Sequence, residues 1–203
     1  DGQDWVDLGR DFDILYACST DNGANWSVPQ ALNSDACSDA TGDGTVQAPF
    51  APKHRDRQDD YSPDIAYDGA KWVCVWASTS IGEEPGDTDI RFSILSAVGG
   101  EWSDPQPLNV DSAPDIVAPP TYKDDGRDDL EPTLATNGSD IVSCAWVSRD
   151  AHDQRWIVTS PFMGTAWLTP TPLEQIQPTE SYETTVDQIT DGKGHWLFSW
   201  VAD

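Results

Sequence analysis

Basic residues are scarce in this chain: 11 lysines and arginines stand against 36 acids in 203 residues, a formal net charge of −25. Such a surface repels phosphate backbones and anionic lipid, which excludes nucleic acid as a partner. No run is long and apolar enough for a helix inserted in a membrane. Methionine occurs once, leucine is sparse, and apolar residues do not recur at helical period over a useful length, which excludes a helical bundle. The four cysteines, Cys18, Cys37, Cys74 and Cys144, include no C-x-x-C pair, and no cysteine–histidine set has zinc spacing. The three histidines, His54, His152 and His195, are scattered. G-x-S-x-G, Walker A, H-E-x-x-H and a complete G-x-G-x-x-G are all missing, and with them the common signatures of hydrolase, phosphate-binding and metalloprotease sites.

What the chain does hold is repetition and tryptophan, of which there are ten. Ser19-Thr20-Asp21-Asn22-Gly23-Ala24-Asn25-Trp26-Ser27 sets a frame that returns twice. Trp102 and Trp167 follow Gly99 and Gly164 by three residues, as Trp26 follows Gly23. Each Trp is followed three residues on by proline (Pro29, Pro105, Pro170) and six on by leucine (Leu32, Leu108, Leu173). A second frame lies between the boxes. Ser62 to Gly69, Glu131 to Gly138 and Thr185 to Gly192 each lead into a β-branched and aromatic run that closes on Trp76, Trp146 or Trp200. These read as strand pairs, A and B, around tight turns for which Asp-Gly or Asn-Gly supplies positive φ. Strands C and D flank each box. A-B-C-D is the antiparallel meander of a propeller blade.

The order along the chain is C-D, A-B-C-D, A-B-C-D, A-B. The expectation is an all-β propeller array over 1–203. An outer half-blade occupies 1–33, whole blades occupy 59–109 and 128–174, and an inner half-blade occupies 183–203. About three blades result, with one shared between chain ends or copies. Propellers typically need four to eight, so self-association into a ring or a filament is expected.

The long B–C and D–A connections leave one end of every blade and carry most of the acids, so one face is expected to be strongly anionic. Calcium is the one cofactor such carboxylates suit, and no other is implied. Asp59, Asp60, Asp128 and Asp129 are its candidate ligands because they recur just before strand A. Trp5, Tyr122 and Trp156 are candidate glycan contacts beside acidic loops. Cys74, Cys144 and Phe198 share one column of strand B, which is therefore expected to be buried and apolar. The cysteines are expected to be thiols.

The first box matches S-x-D-x-G-x-x-W, and the chain resembles sialidase-like β-propeller repeats of the Asp-box type. The resemblance implies a structural Asp box of Ser19, Asp21, Gly23 and Trp26, with Gly99, Trp102, Gly164 and Trp167 as its later copies. Asp21 would accept turn N–H groups, and the Trp would fold over the hairpin as a buried clamp. Ala97 and Phe162 would stand where the acid was. Sialidases also use an arginine cluster, a Tyr–Glu pair and an Asp, with an Arg-Ile-Pro run that this sequence lacks. The closer resemblance is to non-catalytic tandem repeats of secreted microbial proteins. It implies an extracellular structural or adhesive protein that is not an enzyme, with a carbohydrate-binding propeller as the alternative and a sialidase-type glycoside hydrolase as the less favoured one.

Overall fold

The computed structural model describes residues 12–32, 59–79, 88–108, 128–139, 141–149, 155–176 and 185–201. Twelve strands fall within them, and no helix. β1 (Leu15–Tyr16) and β2 (Gln30–Ala31) form a two-stranded ribbon. β3 (Asp60–Tyr67), β4 (Trp72–Thr79), β5 (Thr88–Leu95) and β6 (Gln106–Pro107) form a four-stranded antiparallel sheet in chain order. β7 (Asp128–Thr136), β8 (Ile141–Arg149), β9 (Arg155–Met163) and β10 (Thr171–Ile176) form a second. β11 (Val186–Thr190) and β12 (Trp196–Trp200) close the series as a hairpin. These are the blades and half-blades of a β-propeller.

β4 and β8 lie mid-sheet with neighbouring blades on both sides, so they read as unbroken apolar runs rather than alternating ones. Val73 to Ala77 and Val142 to Val147 are buried throughout. Trp76 and Trp146 are the largest fully buried side chains. Trp76 packs with Ile14 and Leu32 of the blade before it, and Trp146 packs with Ile90 and Leu108 of its own predecessor. Ile14 and Ile90 are equivalent: each accepts the N–H of the closing leucine, Leu32 at 2.8 Å and Leu108 at 2.9 Å. One blade-to-blade contact is thus used twice with the same side chains.

Each A–B turn is headed by an Asx side chain. Asp68 Oδ1 accepts the N–H groups of Ala70 and Lys71 at 2.8 and 2.7 Å. Asn137 Oδ1 accepts those of Ser139 and Ile141 at 2.8 and 3.2 Å, and Asp191 Oδ1 those of Lys193 and His195 at 2.7 and 3.2 Å. The closing backbone bond encloses two residues in the first turn, from the Asp68 N–H to the Lys71 carbonyl, and three in the others, from Asn137 to Ile141 and from Asp191 to His195; in each the side-chain acceptor stands in for a backbone carbonyl. Neighbouring turns stack. A Cβ on Gly69 (φ 101°) would lie 2.8 Å from the Gly138 carbonyl oxygen.

Strand A carries a bulge the sequence did not announce. The register shifts between Tyr61 and Asp64 and between Leu130 and Thr133. Ser62 (φ 54°) and Glu131 (φ 51°) turn left-handed at those points. Each precedes a proline, which cannot donate to a ladder and is accommodated in sheets at bulges. β11 has no proline and runs without a shift.

Candidate functional site

The B–C and D–A connections all leave the end of the sheets where β3, β5, β7 and β9 begin and β4 and β8 finish. The connections themselves lie outside the described residues, as do Trp5, Tyr122 and Cys37. The strand ends that carry them are described, and they hold a dense polar cluster. Asp60 and Asp129 are equivalent: their cross-strand partners are Ser78 and Ser148. Both are buried, as are Thr88 and Asp89 at the head of β5. Asp59 accepts the Phe12 N–H at 3.3 Å and donates its own N–H to Thr79 Oγ1 at 2.8 Å. Asp128 is ion-paired with Arg149 and accepts the Thr88 N–H at 3.3 Å. The Tyr61 phenol donates to Thr88 Oγ1 at 3.0 Å. Burial pushes its pKa up, and the Asp128 and Asp59 charges add to that, so it stays a neutral donor.

The four carboxylates singled out as calcium ligands therefore sit at the expected strand ends. Among the described residues, no three Asp, Glu, His or Cys side chains converge as a metal ion requires. Asp128 is held by a guanidinium instead. Trp156 is half-buried and packs against the core between the two whole blades. Tyr61, Thr88, Asp89 and Arg149 belong to the same cluster and were not singled out from sequence. The equivalence of Asp59-Asp60-Tyr61 with Asp128-Asp129-Leu130 was the signal that could have found Tyr61.

The Asp box lies at the opposite end. Asp21 Oδ1 accepts the Asn25 N–H at 2.9 Å and the Ser19 hydroxyl at 2.8 Å, and Oδ2 accepts Asn25 Nδ2 at 2.6 Å. Ser19 Oγ accepts the Gly23 N–H at 2.9 Å. The bonds from Asn25 and Ser19 lower the Asp21 pKa to about 2. This is turn chemistry, as the resemblance implied. Two details differ. Trp26 leans over Gly23 but is 65% exposed, so it is not a buried clamp. The third box turn is two residues tighter between its bridged residues, Phe162 and Trp167, than the second between Leu95 and Trp102. Phe162 consequently sits on β9 and is buried; it does not replace the acid.

Cys74 and Cys144 are buried thiols, and Cys18 is a half-buried one. Burial pushes Cys74 up to about 12 and Cys144 well above the ordinary thiol range, so both are inert.

No protein-family model and no curated protein matches the chain. Solved structures do. The chain is similar to a Hadza microbial sialidase, Hz136, at 15% identity and TM-score 0.51, over 86% of this chain and 33% of that one. It is similar to an α-L-arabinanase of Penicillium chrysogenum, solved with arabinobiose, at 10% identity and TM-score 0.50, over 96% of this chain and 50% of that one. The chain spans about a third and a half of these two structures. At such identities the likeness establishes the fold. Both neighbours are β-propeller glycoside hydrolases. The expectation that the chain is not an enzyme is contradicted by these two neighbours, and nothing in them supports the non-catalytic repeat type. The missing signatures were those of other folds; glycoside hydrolysis needs only carboxylates on a suitable frame.

Proposed function

We propose that the chain forms part of a propeller that hydrolyses glycosidic bonds, with substrate held at the acidic end of the inner strands. The observation that carries this is the pair Asp60 and Asp129, two buried carboxylates at the same point of adjacent inner strands. Glycosidic hydrolysis needs one carboxyl to protonate the leaving oxygen and a second to act as base or nucleophile. Tyr61 and Thr88, already hydrogen-bonded to one another, line the same rim and present hydroxyls to a sugar.

The substrate class is a neutral glycan. A chain of net charge −25 repels an anionic sugar. Arg149, a cation at this rim, is committed to Asp128. The test is release of reducing ends from a panel of neutral polysaccharides, with sialylated glycans in parallel. Asp60→Asn and Asp129→Asn should each lower turnover by roughly 10²–10⁴-fold while retaining the melting profile. Turnover unchanged by both substitutions would remove these residues from the site, and cleavage of sialosides alone would refute the substrate class.

A further inference from the structure

Asparagine followed by glycine occurs twice, at Asn22-Gly23 in the first box and at Asn137-Gly138 in the A–B turn of the second whole blade. Both glycines hold positive φ, 83° and 73°. A glycine has no Cβ to shield its own nitrogen, so a neighbouring carbonyl carbon can approach it closely. An asparagine side chain placed just before it can therefore close on the backbone as a cyclic imide. The two pairs share this chemistry and differ in their surroundings.

Asn137 is confined. Its Oδ1 accepts the N–H groups of Ser139 and Ile141, and the Gly138 N–H, whose nitrogen would attack, donates to Thr136 Oγ1 at 3.0 Å. Turns from the blades on both sides press on the same peptide. A Cβ on Gly69 would lie 2.8 Å from the Gly138 carbonyl oxygen, and one on Gly192 would lie 3.6 Å from that of Asn137. Ring closure would require the backbone at Asn137 to rotate within this stack.

Asn22 is open. It is exposed, its φ of 58° is left-handed, and its side chain has no hydrogen-bond partner among the described residues. A Cβ on Gly23 would meet a single Trp26 carbon, at 3.9 Å. Two bonds steady the peptide: the Gly23 N–H donates to Ser19 Oγ at 2.9 Å, and the Ala24 N–H to the Asp21 carbonyl at 3.4 Å. Both lie in an exposed turn, the kind of segment that opens locally at little cost. This exposure does not depend on what precedes the first box. Val98 and Met163 stand directly before the box glycine in sheets that have described strands in front of them, and they are 47% and 51% exposed.

We propose that Asn22 is a site of spontaneous deamidation, and that Asn137, in the same dipeptide, is protected by the stacked turns. The Gly23 nitrogen attacks Asn22 Cγ. An N–Cγ bond forms, the Cγ–Nδ2 bond breaks, and ammonia leaves with the Gly23 proton. Water then opens the imide at one carbonyl or the other, giving aspartate or isoaspartate. Aspartate keeps the backbone path. Isoaspartate routes the main chain through Cβ and lengthens it by one carbon inside the box. The bonds that Ser19 Oγ accepts from Gly23 and Asp21 Oδ1 from Asn25 depend on that spacing and are lost.

The test ages the full chain in mildly alkaline buffer, which favours loss of the attacking N–H proton, and maps it by peptide mass spectrometry with isoaspartate scored separately. Asn22 should convert at least roughly tenfold faster than Asn137, a gap that a modest difference in local opening supplies. In urea the two should convert at comparable rates, because the fold and not the dipeptide separates them. Hydrogen exchange at the Asn25 amide should quicken in the isoaspartate form and stay unchanged in Asn22→Asp. Comparable conversion of both sites in the folded chain overturns the proposal, as does an Asn22 that keeps its amide there while the chain in urea loses it. A gap that persists undiminished in urea overturns protection by the stacked turns. Unaltered exchange at Asn25 in the isoaspartate form overturns the effect on the box.

Discussion

Trp26, Trp102 and Trp167 show how far one residue's meaning depends on what stands beside it. The box frame places all three at one point of the hairpin, which the sequence states openly. Whether the ring is buried depends on the preceding blade, which no local pattern encodes. In the single chain, Trp76→Ala should cost about 3–5 kcal/mol, as expected of a fully buried aromatic. Trp26→Ala should cost far less, because that ring is exposed; thermal melts separate the two. Glycines divide in the same way. Gly69 has positive φ and a backbone oxygen 2.8 Å from any added Cβ, whereas Gly138 has positive φ and open space. Gly138→Ala should cost about 1–2 kcal/mol for the left-handed backbone, and Gly69→Ala distinctly more, measured by denaturant unfolding. Asp21 carries a pH signature. Its carboxyl is lowered to about 2 from 3.8. Its contribution to stability is therefore present above pH 3.8 and is lost as pH falls toward 2. Asp21→Asn should flatten acid unfolding in that window.

At the scale of elements, the strand order was legible because each strand carries its own marks: Asx-Gly before strand B, Trp closing it, and the box between C and D. The bulge in β3 and β7 was not read, although Ser62-Pro63 and Glu131-Pro132 were in view. A proline near the start of a strand says that the ladder must break, but the positive φ on the preceding residue emerges only when both strands are paired. Gly164 and Trp167 are where the frame puts them, but Phe162 was matched to the lost acid for a related reason. Counting back from Trp167 fixes the turn, whereas the register of β8 against β9 fixes the strand, and the two disagree when a turn shortens. Removing the proline tests which of the two governs the bulge. Pro132→Val supplies an N–H that the ladder could use, yet the positive φ of Glu131 remains. If the bulge is held by blade packing, the variant should keep its melting temperature within a few degrees, and hydrogen exchange at the newly introduced valine amide should stay fast. Strong protection there would show that proline alone forces the break.

At the scale of the molecule, charge and compactness oppose one another. A net charge of −25 repels itself across the fold, while the contacts between blades are apolar. Salt screens the first within a Debye length of roughly 8–10 Å and leaves the second largely intact. Added sodium chloride should therefore raise the melting temperature. The acidic rim was legible in the sequence as a concentration of carboxylates, but the abundance that made it visible also concealed which of them matter. Burial narrows the described rim carboxylates to Asp60, Asp89 and Asp129, and the recurrence of Asp60 and Asp129 at one point of adjacent inner strands is what the proposal rests on. Screening also separates two roles for the rim carboxylates. If Asp60 acts on the substrate itself, Asp60→Asn should lose turnover by roughly 10²–10⁴-fold at low and at high salt alike. If it acts only through the charge of the rim, added salt should bring the wild-type chain down to the variant's rate. Turnover of the two proteins that converges as sodium chloride is raised would remove Asp60 from the chemistry.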